Sequence, residues 1–124
     1  MPENGRGTIL YVEDNPDNRN LIRRVLNAEG YAVVEAAQAT QAFAKLESEH
    51  IDLILMDINM PGIDGFETTS EIRKFNSQVP IVALTASDKF EIQKLLEKSS
   101  MNDILVKPFE WLDLLHIIEK HIQS

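Results

Sequence analysis

Five side chains stand where a reaction would need them. Glu13 and Asp14 end one short apolar run, Thr8-Ile-Leu-Tyr-Val12, and Asp57 ends another, Leu53-Ile-Leu-Met56. Thr85 closes a third, Pro80-Ile-Val-Ala-Leu84, and Lys107 a fourth, Asp103-Ile-Leu-Val106. An unbroken β-prone apolar run is the pattern of a strand buried on both faces of a parallel sheet, and the first polar residue after it marks where the chain emerges. In open α/β sheets that carboxyl end of the strands is where ligands bind. If the four runs lie side by side, three acids, a hydroxyl and an ammonium share one pocket.

Three carboxylates at close range repel one another, so either one keeps its proton or a cation holds them apart. Mg²⁺, which prefers an octahedron of oxygens and keeps several waters, suits Asp14, Asp57 and the backbone carbonyl of Asn59, with Glu13 acting through water. A carboxylate beside that ion can attack a phosphoryl donor and become an acyl phosphate. Asp57 is the candidate nucleophile, because it alone projects from a central strand onto a loop shaped by Pro61, Gly62, Asp64 and Gly65. Lys107 would pair with a phosphoryl oxygen as a point charge, and Thr85 would donate a hydrogen bond to another. Asp64 and Gly65 read as turn chemistry. His50, His116 and His121 read as surface residues without acidic company.

The elements that must position these groups can be read in order. Residues 1–7 are polar and glycine-rich and read as a tail or linker remnant, with an ordered domain over 8–124. Asn15 and Pro16 look like the cap and first residue of a helix that runs to about Glu29 and stops at Gly30. Its apolar positions Leu21, Ile22, Val25, Leu26 and Ala28 cover a wider arc than one core-facing stripe, which leaves a flank for a partner. Tyr31 to Glu35 predicts a strand, and Ala39, Ala42, Phe43 and Leu46 follow at helical spacing. Ile51 to Met56 is the third strand and Phe66 to Phe75 the next helix. After Pro80–Thr85, Ser87 or Asp88 caps a helix in which Ile92, Leu95 and Leu96 share a face and Phe90 points elsewhere. The last helix fills Phe109 to about Ile122; Trp111, Leu115, Ile118 and Ile122 are assigned to the core, and Ile117, with Phe90, to a docking surface. Strand and helix alternating five times predicts an α/β fold, a single doubly wound (βα)5 domain with helices on both faces of a parallel sheet.

Composition narrows the function. With 124 residues there is room for one domain, and a formal charge of -8 without a Lys/Arg cluster argues against a grip on a nucleic-acid backbone. No cysteine is present, which excludes disulfides, thiolate metal sites and cysteine nucleophiles. There is no apolar segment of signal-peptide or membrane-span character. The expectation is a cytoplasmic protein that binds neither nucleic acid nor membrane.

Taken together, Glu13-Asp14, Asp57 with Met60-Pro61 and Asp64-Gly65, Thr85-Ala86 and Lys107-Pro108-Phe109 resemble the receiver domain of two-component response regulators at every signature position. The resemblance covers residues 8 to 123. It implies the flavodoxin-like three-layer sandwich with strand order 2-1-3-4-5 and a phosphoryl group passed to Asp57 from a histidine kinase or a histidine phosphotransfer protein. It further implies a turn of Thr85 toward the phosphate, a remodelled surface of helix four, strand five and helix five that binds a downstream protein, and a cis Lys107-Pro108 peptide. Such a domain catalyses only its own phosphorylation and dephosphorylation. Two positions depart from the pattern: Ile104 stands where the family usually has Tyr or Phe as partner of the switch threonine, and Ser99-Ser-Met-Asn-Asp103 lacks a common glycine. The Met-Asn-Asp wording resembles receivers attached to hybrid histidine kinases. Asn59 and Ser87 fall where family members tune hydrolysis of the acyl phosphate. The alternative is a degenerate receiver that serves as a constitutive docking module. A phosphohydrolase of the haloacid dehalogenase type fits less well, since its second acid should stand where this chain has Asn59.

Overall fold

The computed structural model describes residues 5–60, 65–86, 89–98 and 100–122, with the backbone alone at 65, 66, 89, 92, 95, 96 and 98. The expected loop residues Pro61, Gly62 and Asp64 and the expected caps Ser87 and Asp88 lie outside the described residues, as do the side chains of Ile92, Leu95 and Leu96.

The chain alternates β1 (Gly7–Val12), α1 (Pro16–Ala28), β2 (Tyr31–Ala36), α2 (Ala39–Ser48), β3 (Leu53–Asp57), α3 (Gly65–Phe75), β4 (Ile81–Thr85), α4 (Lys89–Lys98), β5 (Asp103–Val106) and α5 (Trp111–His121). The five strands are parallel, in the order β2-β1-β3-β4-β5. Register brings the strand ends level: Val12 lies beside Met56, Asp57 beside Leu84, and Thr85 beside Val106.

Alternation along each strand divides the apolar side chains between two faces. Ile9, Tyr11, Leu53, Leu55, Val82 and Leu84 pack with Ile22 and Leu26 of α1 and Leu114 and Ile118 of α5. Leu10, Val12, Ile54, Met56, Ile81 and Ala83 pack with Ala42 of α2 and Ile72 of α3. Most of these are wholly removed from solvent, and truncating one such Leu or Ile to Ala costs roughly 2–5 kcal/mol. The central strands are packed on both faces and present the residues that follow them at one rim.

α1 starts as its sequence dictates. The Asn15 side-chain oxygen accepts from the N–H groups of Asp17 (2.8 Å) and Asn18 (3.0 Å), and Pro16 needs no donor at the first position. It ends before Gly30, whose φ of +93° favours glycine, and the Arg6 side chain lies 3.2 Å from where a β-carbon would sit.

Three expectations need correction. Order reaches further back than Thr8: Gly7 is in β1, Arg6 N–H bonds the Gly30 carbonyl at 3.1 Å, and the Arg6 guanidinium stacks 4.7 Å from the Tyr31 ring centre. On α5 the fully buried residues are Leu114 and Ile118, whereas Trp111 is 41% exposed and Ile117 packs partly against the core. The helix begins two residues later than expected, with Asp113 Oδ2 accepting the Glu110 N–H at 3.2 Å, so Trp111 is its first residue. Two histidines do have acidic company: His50 lies 2.9 Å from Asp52, and His121 2.9 Å from Asp103.

Candidate functional site

Strand order explains why four of the five strands carry polar ends and β2 does not. β2 is an edge, and β1, β3, β4 and β5 lie side by side, so the residues after them converge. Asp57 is the last residue of β3 and its side chain is 7% exposed. One oxygen, Oδ2, accepts from Lys107 Nζ at 2.7 Å; the other, Oδ1, accepts the Asn59 N–H at 2.9 Å. The charge-assisted contact neutralises Asp57, and the short loop after β3 turns its own backbone onto the carboxylate. Lys107 is positioned by the sheet, since its N–H continues the ladder to the Thr85 carbonyl at 2.8 Å, and the Lys107-Pro108 peptide that follows is cis.

Glu13 and Asp14, adjacent in sequence, sit in different environments. Asp14 is exposed, whereas Glu13 is buried. Glu13 accepts from the Tyr11 hydroxyl (3.3 Å), the Asn18 side-chain amide (3.3 Å) and the Asn15 N–H (3.2 Å). Burial raises the Glu13 pKa above the usual carboxylate value; the Asn15 N–H opposes this, and the neighbouring carboxyls of Asp14 and Asp57 reinforce it. The Tyr11 phenol is likewise pushed up, first by burial and then by Glu13 and Asp57. Arg19 donates to the carbonyls of Glu13 (2.8 Å) and Asp14 (3.1 Å) and so fixes the end of β1 without neutralising either acid.

Thr85 is fully buried at the end of β4. Ile104, one position into β5, is partly buried against the α2/α3 face. Asn59 is exposed, and its side-chain oxygen accepts the Ala86 N–H at 2.8 Å, tying the loop after β3 to the loop after β4. Asp57 and Lys107 are thus in direct contact, and Asn59 touches both Asp57 and the residue after Thr85. A cavity of about 160 Å³ beside them is lined by Tyr11, Glu13, Asn18, Leu84, Lys107 and Trp111, among others. Sequence reasoning missed Tyr11, Asn18 and the Asn59 side chain. Tyr11 was discoverable, because two residues before Glu13 on a strand means the same face; Asn18 and the Asn59 bridge depend on loop geometry.

The donor set suits a hard cation. The side chains of Glu13, Asp14 and Asp57 offer carboxylate oxygens, and burial, reinforced by the neighbouring carboxyls, raises the Glu13 pKa, a cost that a bound cation would relieve. Among the described residues no three His, Cys, Asp or Glu side chains are grouped so as to hold a metal ion by themselves; a Mg²⁺ here would take one or two carboxylates, with water and carbonyl oxygens completing its octahedron.

A parallel five-stranded sheet in this order, with paired acids facing a strand-end aspartate and lysine, defines a class, and a family model makes the same assignment. The response regulator receiver domain model matches residues 9–119, and the chain belongs to that family. Among its relatives is the sensor protein EvgS of Escherichia coli strain K12, 41% identical over 116 residues that are 92% of this chain and 10% of that protein. The chain therefore spans about a tenth of the length of that sensor protein. Among solved structures it is similar to the receiver domain of sensor histidine kinase PA1611 from Pseudomonas aeruginosa, which has a magnesium ion coordinated in its active-site cleft. That likeness has TM-score 0.83 and 40% identity and covers 95% of this chain and 98% of that one. It is also similar to the response regulator TrrA of Thermotoga maritima in complex with Mg²⁺ and BeF, with TM-score 0.81 and 34% identity over 92% of this chain and 97% of that one.

Proposed function

We propose that this receiver domain is a Mg²⁺-dependent phosphoacceptor switch in a two-component phosphorelay, with Asp57 as the acceptor. The observation that carries the reading is the Asp57 carboxylate itself: nearly buried, fixed by Lys107 on one oxygen and by a main-chain N–H on the other, and flanked by two further acids. Its relatives are sensor proteins and response regulators, so the donor is the phosphohistidine of a histidine kinase or of a phosphotransfer protein.

In the transfer, an Asp57 oxygen attacks phosphorus, an O–P bond forms, the N–P bond breaks, and its electron pair returns to the imidazole nitrogen. Lys107 Nζ, already 2.7 Å from the carboxylate, pairs with a phosphoryl oxygen as charge moves outward. Thr85, buried at the end of β4, turns its hydroxyl toward another. Asp14, Asp57 and the Asn59 carbonyl would hold the Mg²⁺, with Glu13 bonded through water and kept in place by Tyr11, Asn15 and Asn18. When bound, the ion neutralises charge on the transferring group. Output would pass through α4, β5 and α5, where Phe90 (77% exposed) and Val106 (42%) present apolar surface. Ile104 has no ring to rotate, so the response at β5 is carried by strand and loop movement.

The test is intact mass after incubation with Mg²⁺ and a small acyl-phosphate donor. A gain of one phosphoryl group that needs Mg²⁺ supports the reading. No gain at short times in the cold contradicts it and leaves a constitutive docking module, which no observation otherwise favours.

A further inference from the structure

Asn59 uses both ends at once. Its N–H holds Asp57 Oδ1 at 2.9 Å, and its side-chain oxygen takes the Ala86 N–H at 2.8 Å. The residue beside the acceptor therefore bridges to the residue after Thr85. Ile58, between Asp57 and Asn59, is tied to the same strand through its N–H to the Leu84 carbonyl at 3.1 Å. A phosphoryl group on Asp57 brings three more acceptor oxygens to this spot, and they need donors. Ala86 N–H is a main-chain donor at the end of β4, and in the structure Asn59 occupies it.

We propose that Asn59 is a resting-state latch. Its carboxamide oxygen stands in for a phosphoryl oxygen at the Ala86 N–H and holds Ala86, the residue after Thr85, in its unphosphorylated position. Phosphorylation exchanges this bond for one to the phosphoryl group, so Ala86 is released from Asn59 at the moment Asp57 is modified. Asn59 is thus a positioning residue that sets how readily the switched state is reached. The inference rests on the phosphoacceptor reading for its consequence, but the latch itself exists in the unmodified protein.

The latch competes with the ligand, so removing it strengthens binding of a phosphoryl mimic. Asn59→Ala keeps the backbone N–H to Asp57 and deletes only the acceptor for Ala86. Asn59→Asp keeps an acceptor in the same place. The experiment follows the Ala86 amide by NMR in wild type and both variants, first alone and then titrated with beryllofluoride at saturating Mg²⁺. In the unmodified protein the Ala86 amide should exchange slowly with solvent in wild type and Asn59→Asp, and faster in Asn59→Ala. Beryllofluoride affinity should rise about two- to tenfold in Asn59→Ala, the worth of one neutral hydrogen bond. Unchanged Ala86 exchange in Asn59→Ala, or an affinity that stays equal or falls, overturns the latch. Failure of wild type to bind beryllofluoride would instead overturn the phosphoacceptor reading, and the exchange data would still decide whether the latch exists.

Discussion

The two ends of the sheet are built on opposite principles. At the carboxyl end, Glu13, Asp14 and Asp57 lie close together with Lys107 paired to Asp57 alone, and the Glu13 pKa is raised by burial and by its neighbours. At the amino end, Arg73, Asp52 and Asp103 are each tied to a partner on another element. Arg73 of α3 donates to the Val79 carbonyl (2.6 Å), the Ser100 carbonyl (2.6 Å) and the Asn102 side chain (2.8 Å), and Asn102 in turn accepts the Ile81 N–H at 2.9 Å. Asp52 accepts the Thr8 N–H at 2.8 Å, and Asp103 accepts from Lys120 and His121 of α5. The amino end knots α3, β4, β5 and α5 together, while the carboxyl end gathers like charges around Asp57.

That division can be broken at either rim. Asp57→Asn should abolish phosphoryl uptake by intact mass and leave a folded protein, because the substitution removes one of the repelling charges; loss of the thermal transition would mean that the carboxyl rim also holds the fold. Arg73→Met should do the reverse, lowering unfolding free energy in urea by about 1–3 kcal/mol with uptake retained under native conditions. Asp103 sharpens the contrast through pH. Burial opposes its ionisation, but His121, the Ile104 N–H and Lys120 outweigh burial and hold its pKa below the ordinary value. Its contribution is therefore present above the unfolded carboxylate range and lost as pH falls through the depressed native value. The midpoint of thermal unfolding should drop in acid, and Asp103→Asn should flatten that part of the profile. Glu13 works in the opposite sense: with its native pKa raised, stability declines as pH rises from the unfolded value to the native one and stays lower beyond. Without Mg²⁺, Glu13→Gln should remove that decline, the smallest of these effects, read as a higher midpoint near neutral pH.

Much of the carboxyl rim was legible because its residues follow directly from strand ends. Four apolar runs ending in Glu13-Asp14, Asp57, Thr85 and Lys107 come together in a parallel sheet that leaves β2 outside, and the periodicity supplied the sheet though not the order. The strand order came from the family resemblance, since alternation alone does not rank strands. What stayed hidden was lateral. Arg73 looks like any exposed helix arginine until α3 is laid against the starts of β4 and β5. His121 meets Asp103 only through packing of α5, and Trp111 is exposed as the first residue of that helix, where its apolar pattern suggested burial. Bonds made by a side chain to a distant loop carbonyl leave no periodic trace in the chain.

The most direct test is to locate the modification itself. The protein, treated with Mg²⁺ and an acyl-phosphate donor, is reduced with borohydride, which converts an aspartyl phosphate to homoserine, and its peptides are sequenced by mass spectrometry. Homoserine at position 57, at no other aspartate, and absent when Mg²⁺ is chelated, is the predicted result. Homoserine at Asp14 or elsewhere, or at no position in a sample whose intact mass shows a phosphoryl group, would contradict the account.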